Sequence, residues 1–592
     1  MLYTQLDLGR NYGGIKPLLK ENKMEYVCIG ADTETVDGDA NCFQLSHDGE
    51  DADVYFCRTS NIERHFLSVL DSFNRARDRQ FILWFHNIAF DLPVIFSKRH
   101  SLFRNDEFSF DSYGWNITGV YSHLCFVTLR KGDLCVQLLG TDSYFKTSLA
   151  KLAQEFCPHL PKLQTPKLIG KKYYTRKDHA FMEYAKRDAV ICKVVGDRIL
   201  GMHAQYEIPI SVSAPHMASR IFRKKFVEHP IPLPSMSLLY SSLHSYHGGK
   251  NNFPVRRGLY KNVSCIDIKS AYPFAMAALP SFSNRDLYLQ FHPKIPVRRV
   301  PPFGVYKISG VAHLTPWPII FDHGFKPRYG EFENIWITGF ELNQALQSRL
   351  VDITECWGYF YDAARDKIAS PFRAYVEHFF KLKTLAKEKG PHGFNKLLMN
   401  SLYGKFIETR GGSSLLNVKY DIDKDTHEFS LAMKAGGLFN PFIATLITGH
   451  TRAYIHALEL KFRAIHTSTD GIMTQEKFGG SSDALGGLSV EAFGNVLLLR
   501  NKLYIIYTRK KSLAAKDKFG KPLRSKIYKT QWIQKYALHG FFADVHTLEK
   551  MVKTGANEYE FTKVNKLRES LRRKLKVNRF QKQKRKLNLP EN

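Results

Sequence analysis

The sequence predicts a multidomain chain of mixed class, an α/β module followed by α+β modules, and three observations lead there. At 592 residues the chain holds roughly four domains' worth of sequence at about 150 residues each. Residues 1 to about 205 alternate apolar runs of strand length (EYVCIGA, FILWF, LCFVTLR, LCVQLLG) with helical patterns such as HAFMEYAKRDAVICKVVGDRIL, an α/β signature. The remainder is mixed: proline and glycine punctuate residues 291–332 (PKIPVRRVPPFG, TPWP, KPRYG), marking turns or an inserted lobe, and no internal repeat organises it.

Composition narrows the partner. Lysine plus arginine number 86 against 56 acids, a net charge of +30, while 44% apolar and 13% aromatic content is ordinary for a globular chain. Disordered, collagen-like and fibrous classes are excluded. A charge surplus of this size attracts a polyanion, of which nucleic acid is the commonest. The nine cysteines are odd in number and scattered, with no CxxC pair, which predicts neither a disulfide framework nor a cysteine zinc site. The amino terminus lacks the basic start and apolar run of a secretory leader, and no segment approaches the length of a membrane span. The expectation is a soluble protein of a reducing interior.

Two sets of carboxylates carry the chemistry. In the first, VCIGA leads into Asp32-Thr33-Glu34, and residues two apart on a strand face the same side, so both acids can face one ligand. FILWF ends at His86-Asn87 and is followed by Phe90-Asp91, a third acid just past a buried strand, with Asn87 placed as a helix cap or a binding residue. Tyr184 and Asp188 lie four apart on an amphipathic helix and share a face. Asp32, Glu34, Asp91 and Asp188 together offer four hard oxygen donors, enough for two magnesium ions. Such ions about 4 Å apart activate a water and stabilise the leaving oxygen of a phosphodiester.

In this order the pieces resemble the three exonuclease motifs of proofreading DNA polymerases, which implies an RNase H-like 3′–5′ exonuclease domain over residues 1–205. The resemblance also implies that Tyr184 positions the attacking water, that Asn87 and Phe90 hold a frayed 3′ end, and that Ser148-Leu149 in TSLAKL form an additional single-strand-binding motif.

In the second set, VSCIDIKSAYPFAM reads as a buried strand ending at Asp267, a turn from Ser270 to Pro273, and a helix. FRAIHTSTDGIMT reads as a hairpin whose apex displays Asp470. Between them FNKLLMNSLYGKF is helical in pattern, with Lys396, Asn400 and Tyr403 on one face. DIKSAYP, KLLMNSLYG and STDG, followed by Lys502-Leu503-Tyr504, resemble motifs A, B, C and KxY of family B DNA polymerases. Tyr246-His247-Gly248-Gly249 resembles the YxGG linker between their exonuclease and polymerase modules. With the three exonuclease motifs, eight matches stand in order between residues 32 and 504.

The resemblance implies a right-hand palm, fingers and thumb after the exonuclease domain. Asp267 and Asp470 would ligate two magnesium ions, with manganese the alternative. Lys396 and Lys383 would contact the phosphates of a deoxynucleoside triphosphate, Tyr272 would close off the 2′ position, Tyr403 would pack near the base, and Asn400 would line the same site. Tyr246, Gly248 and Gly249 would contact DNA, and Lys502 and Tyr504 would hold the primer end. One position departs from the pattern: Ser468 stands where motif C usually carries its first aspartate, and Gly471 replaces a serine. Either that first acid is dispensable for metal binding or the polymerase is weak; the intact pair Asp267 and Asp470 favours the first.

Two surplus intervals, residues 301–365 and a hairpin at 406–437, resemble the insertions of the protein-primed branch found in phages, adenoviruses and linear plasmids. There the first contacts a terminal protein whose hydroxyl primes synthesis, and the second encircles the template. The remaining segments would be linker and first part of the palm (206–300), fingers (366–405), second part of the palm (438–530) and thumb with tail (531–592). Lys563 to Lys586 carries twelve lysines or arginines and one acid, a basic arm or helix in which Arg572, Arg573 and Lys574 would grip duplex phosphate. The expected assembly is a monomer in a host cytoplasm, bound to DNA template and primer and to no membrane. The rival readings are an exonuclease whose polymerase half has decayed at motif C, a primer-independent relative, and a non-catalytic DNA-binding protein.

Overall fold

In the computed structural model the described residues are 13–19, 23–73, 78–99, 103, 107–122, 124–164, 173–251, 257–389, 392–410, 434–500, 503–509, 531–538, 541–542, 550, 553–554, 558–564 and 580–586. The amino-terminal module is an eight-stranded sheet made of β1 (Glu25–Val36), β2 (Asp39–Ser46), β3 (Asp53–Phe56), β4 (Arg79–Phe85), β5 (Glu107–Ser112), β6 (Trp115–Tyr121), β7 (Cys125–Lys131) and β8 (Leu134–Gly140), in the order β3-β2-β1-β4-β8-β7-β6-β5. The central strands β1, β4 and β8 are parallel and the outer ones antiparallel.

Both faces are covered, which is why the central strands read as continuous apolar runs. Ile29 and Ala31 of β1 with Leu83 and Phe85 of β4 enter the core beneath α1 (Ile62–Leu70) and α2 (Ile88–Ile95). Cys28, Ile82 and Trp84 point the other way, into a core built with α3 (Leu149–Phe156) and α4 (His179–Gln205). That second core continues without a break into α5 (Ala214–Ile221) and the helices of the following module, with Phe145 packed 4.9 Å from the ring of Phe394.

After α6 (Met236–Ser245) the chain enters a six-stranded antiparallel sheet through β9 (Gly258–Ile268), and leaves it by α7 (Ala271–Ala277). A lobe follows: β10 (Tyr288–Phe291), β11 (Gly304–Ala312), β12 (Gly330–Thr338), α8 (Gly339–Gln347) and β13 (Val351–Tyr361), with the sheet order β10-β13-β11-β12 and its own core of Ile308, Phe332, Ile337, Leu342 and Ile353. The lobe's sheet therefore begins at Tyr288, ahead of the expected boundary at 301. Helices α9 (Pro371–Lys389) and α10 (His392–Ser401) pack together, and β14 (Thr409–Arg410) pairs antiparallel with β15 (Lys434–Ala435). That pair forms the base of the expected hairpin, whose residues 411–433 lie outside the described ones.

The long helix α11 (Pro441–Phe462) leads back into the six-stranded sheet as β16 (His466–Ser468), β17 (Gly471–Thr474), β18 (Leu488–Arg500), β19 (Leu503–Arg509) and β20 (Gln531–Leu538), ordered β16-β17-β9-β18-β19-β20. A final antiparallel sheet joins β21 (Phe541–Phe542), β22 (Glu558–Val564) and β23 (Phe580–Lys586). The basic segment is thus not one helix: its first two residues end β22 and its last seven form β23. Arg572, Arg573 and Lys574 lie outside the described residues. All nine cysteines are free, and among the described residues no helix is long and apolar enough to cross a membrane.

Candidate active sites

The first site forms where β1, α2 and α4 meet. Gly30, Asp32 and Glu34 alternate onto the face of β1 that α4 covers, and a Cβ at Gly30 would lie 1.9 Å from the carbonyl of Ala189. Only glycine permits that approach, and it brings Asp188, one residue earlier on α4, to the β1 acids. Thr33 points to the opposite face, where its hydroxyl donates to Asp91 Oδ1 at 2.7 Å and fixes the α2 carboxylate. The four acids feel each other: burial, then Asp91, Asp188 and Glu34, push Asp32 well above the usual carboxylate range. Burial and then Asp188 raise Glu34 to about 8, and burial raises Asp91 to about 7 against the hydrogen bond from Thr33.

Lys162, which the sequence reading did not single out, pairs with Asp188 and sits 5.4 Å over the ring of Tyr184. It lies on a connecting segment with no periodicity to mark it; only the fold brings it to the acids. Oδ1 of Asp188 is buried with no hydrogen-bond partner. Crowded acids with an orphaned oxygen fit a divalent cation. The cage is not preassembled, however: among the described residues no three His, Cys, Asp or Glu side chains are already gathered as a metal site. Thr33 donates to Asp91 and Lys162 pairs with Asp188, so an ion bound here would compete with both contacts.

Around this site the remaining expectations divide. Tyr184 is buried one turn before Asp188. Asn87 occupies the position capping α2, but its side chain makes no capping bond and is exposed, while Phe90 packs half-buried against the core. Ser148 caps α3, accepting from the Lys151 amide at 3.4 Å, and Leu149 belongs to the core. Ser148 thus acts as a helix cap and Leu149 as a core residue.

The second site lies at one end of the six-stranded sheet. Asp267 is next to last on β9, and its register partner on β17 is Gly471, the residue after Asp470. The backbone amide of Ile268 donates to the carbonyl of Asp470 at 2.8 Å, locking the hairpin apex against β9. A Cβ at Gly471 would fall 2.9 Å from Asp267 Oδ1, so glycine at this departure from the motif leaves room for the acid. Thr469, at φ +54°, makes the two-residue turn with Asp470, and Ser468 ends the edge strand β16.

The YHGG loop braces this turn. Lys250, just after it, accepts through its carbonyl from the Thr469 amide at 2.8 Å, and Thr469 donates its hydroxyl to Asn251 at 2.8 Å. A Cβ at Gly249 would lie 2.5 Å from Thr469 Cγ2 and 2.9 Å from the Tyr272 hydroxyl. Tyr272, on α7, stacks on Tyr403 with centroids 4.1 Å apart at 21°. The helix expected to carry Tyr403 stops at Ser401, and the tyrosine opens a 3-10 turn instead, which rotates it toward Tyr272. Likewise α7 begins at Ala271, so the turn after Asp267 is shorter than expected, with Ser270 alone in the left-handed region at φ +55°.

Lys383 on α9 is only 9% exposed and reaches Ser270 Oγ at 3.3 Å, which aims its charge at the turn after Asp267. Lys396 is exposed on α10, and Asn400 Oδ1, one turn later, is buried without a partner. Burial and then Tyr403 raise the Tyr246 hydroxyl to about 12, and Tyr246 lies close enough to Tyr272 to perturb it electrostatically. Tyr504 is 4% exposed and packs at 5.5 Å against the His466 ring, a core position rather than a surface one. Lys502 lies outside the described residues.

Beneath the second site run two buried ion pairs absent from the motif reading. Lys250 pairs with Glu459, which also accepts from Thr467 at 2.5 Å. Arg452 holds Glu341 of α8 with two bonds of 2.7 and 2.8 Å and donates to the carbonyls of His247 and Gly248. Arg452 and Glu459 lie two turns apart on α11, a helix buried along most of its length, and charges inside such a helix are the signal that could have exposed them.

A family described as "DNA polymerase type B, organellar and viral" matches residues 176–430. A DNA-directed DNA polymerase of Enterobacteria phage PRD1 is 31% identical over 160 residues, covering 23% of this chain and 29% of that protein. A probable DNA polymerase of Neurospora intermedia is 28% identical over 212 residues, 32% of this chain and 20% of the relative, and one of Ascobolus immersus 26% identical over 229 residues, 37% and 18%. The matched stretches span less than a third of each of these relatives. Phi29 DNA polymerase in a complex with primer-template DNA and incoming nucleotides shares the fold at a TM-score of 0.61 and 16% identity, over 91% of this chain and 96% of that one. A second structure, with single-stranded DNA, matches at 0.59 over 89% and 95%. Residues 176–430 thus resemble the type B DNA polymerases of organelles and viruses, and the chain as a whole shares the fold of phi29 DNA polymerase.

Proposed function

We propose that this protein is a DNA-directed DNA polymerase with a proofreading 3′–5′ exonuclease, copying a viral or linear-plasmid genome by protein-primed, strand-displacing synthesis. The observation that carries the reading is the seating of Asp470 at a hairpin apex against Asp267 on the neighbouring strand, with Tyr272 stacked on Tyr403 and Lys383 aimed at the same turn. The eight-stranded module is then the RNase H-like exonuclease, the six-stranded sheet the palm, and α9 with α10 the fingers. The terminal β-structure is the thumb. The lobe and the hairpin at 406–437 are the surfaces for a terminal protein and the template.

In this reading Asp267 and Asp470 hold magnesium at the second site, and Asp32, Glu34, Asp91 and Asp188 hold it at the first. Bound there, the metal supplies charge neutralisation for the phosphates and activation of the attacking oxygen. The protein's own residues position. Lys383 and Lys396 draw the triphosphate to the turn after Asp267. The Tyr272–Tyr403 stack walls the sugar, excluding a 2′-hydroxyl, so deoxynucleotides are the substrate. Tyr184 and Lys162 orient water beside Asp188. Primer extension on a recessed template tests the whole: elongation with deoxynucleotides and 3′ degradation without them are expected. Degradation with no elongation would hand the reading to a nuclease whose polymerase half has decayed at Ser468.

Restoring the usual acid, Ser468→Asp, is expected to leave the elongation rate within the same order, because Asp267 and Asp470 already form the pair. A thousandfold gain would show that the missing carboxylate limits the enzyme.

The first site also predicts a pH response. Glu34, at about 8, and Asp91, at about 7, sit above their ordinary values of 4.5 and 3.8. The folded protein therefore keeps protons that the unfolded chain releases, and their contribution to stability falls as pH rises from about 4 toward 8. Thermal melts of metal-free protein should show that decline. Asp91→Asn should flatten it, and magnesium should recover more stability at pH 8 than at pH 6. Equal slopes in wild type and variant would contradict the assignment.

A further inference from the structure

The lobe carries an aromatic row on the wrong face of its sheet. Tyr306, Ile308, Ile335, Ile337 and Cys356 fill the lobe's core, so the alternate residues of β11, β12 and β13 face away from it. On an antiparallel sheet that second face is ordinarily polar. Here Lys307 stands in register between Trp336 on β12 and Trp357 on β13, three adjacent strands contributing one continuous row. The two indoles meet edge to face at 5.2 Å, the Lys307 ammonium lies 5.9 Å over the Trp357 ring, and the exposed His292 imidazole runs parallel to that ring within 10° at 6.2 Å.

Helix α6 covers this face only partly, and it does so with polar side chains. Between the row and Ser237, Ser241 and His244 lies a cleft of about 380 Å3, also bordered by Tyr359. That is the lower end of the range for small-molecule sites, about 300–1,000 Å3. A second apolar core under α6 would not be lined by hydroxyls and imidazoles. Flat π surfaces, a cation among them and hydroxyls opposite suit a planar heterocycle attached to an anion, and the +30 chain draws polyanions to its surface.

We propose that this cleft binds an unpaired base of single-stranded DNA, stacked on Trp357 with its phosphate near Lys307. The site shares no residue with either carboxylate cluster, and it needs no catalysis to be observed. Its position bears on the polymerase all the same: α6 runs directly into the YHGG loop that braces the Asp470 turn. A strand held here is tethered beside that loop.

The test uses the full-length protein and an oligothymidylate carrying one 5-iodouracil. Irradiation should place an adduct on Trp357, Trp336 or Tyr359, mapped by mass spectrometry, and excess unsubstituted oligothymidylate should remove it. Trp357→Ala should weaken binding about tenfold with little change in salt dependence, the signature of lost stacking. Lys307→Gln, a change outside the core that guards against misfolding of the tryptophan variant, should weaken it and reduce the salt slope by about one. Absence of adducts on these three residues, or unaltered affinity in both folded variants, would overturn the proposal in favour of a protein-docking role. Displacement of the adduct by thymidine monophosphate at equal nucleotide concentration would overturn the strand assignment in favour of a free nucleotide.

Discussion

Replacing Asp470 with alanine should lower nucleotide incorporation by on the order of a thousandfold or more while leaving 3′ degradation intact. Among the described residues β9 and the hairpin apex place two carboxylates at the sheet end, Asp267 and Asp470, and Ser468 supplies none. Removing one leaves a single acid to hold the cations that neutralise the developing charge, and electrostatic contributions of this kind are worth about 3–4 kcal/mol each. The paired variant Asp32→Ala with Asp91→Ala should do the reverse. Primer extension and 3′-labelled degradation, run side by side, check both. If Asp470→Ala also abolished degradation, the two clusters would not be independent sites.

A second large effect is expected on stability. Lys250→Met should cost about 3–5 kcal/mol, because Glu459 would be left buried and without its cation. Burial pushes the Lys250 ammonium down and the Glu459 carboxyl up, each opposed by the other, so neither charge is comfortable alone. The double variant Lys250→Met with Glu459→Leu should recover much of the loss, since an apolar pair of similar volume avoids the desolvation cost. Denaturant unfolding measures both. Full stability in the single variant would mean that the pair is already neutral in the folded protein. The same pair matters for the site, because the Lys250 backbone bridges to Thr469 beside Asp470. The double variant should therefore be stable yet slower at incorporation.

The strands carrying Asp32, Glu34 and Asp267, the hairpin at Asp470 and the helices with Asp188 and Lys383 were legible because each rests on a local rule. Those rules are alternation on a strand, a two-residue turn and the 3.6-residue period. Local pattern was less able to say where elements stop. Tyr403 falls beyond its helix because packing against Tyr272 outweighs helical continuation, and the basic segment ends as a strand because β22 offers it a partner.

What the sequence by itself determined is the class of chemistry: acids at strand ends, lysines on helices, and a large positive charge. What only the tertiary structure decided is which distant residues act together. Lys162 meets Asp188, Arg452 meets Glu341, Lys250 meets Glu459, and Lys307 lies between two indoles, each pair far apart along the chain or on neighbouring strands. Such contacts leave no periodic trace, because a buried charge needs one partner at hydrogen-bond distance, and the energy of that contact depends on the space between the elements rather than on the residues beside it.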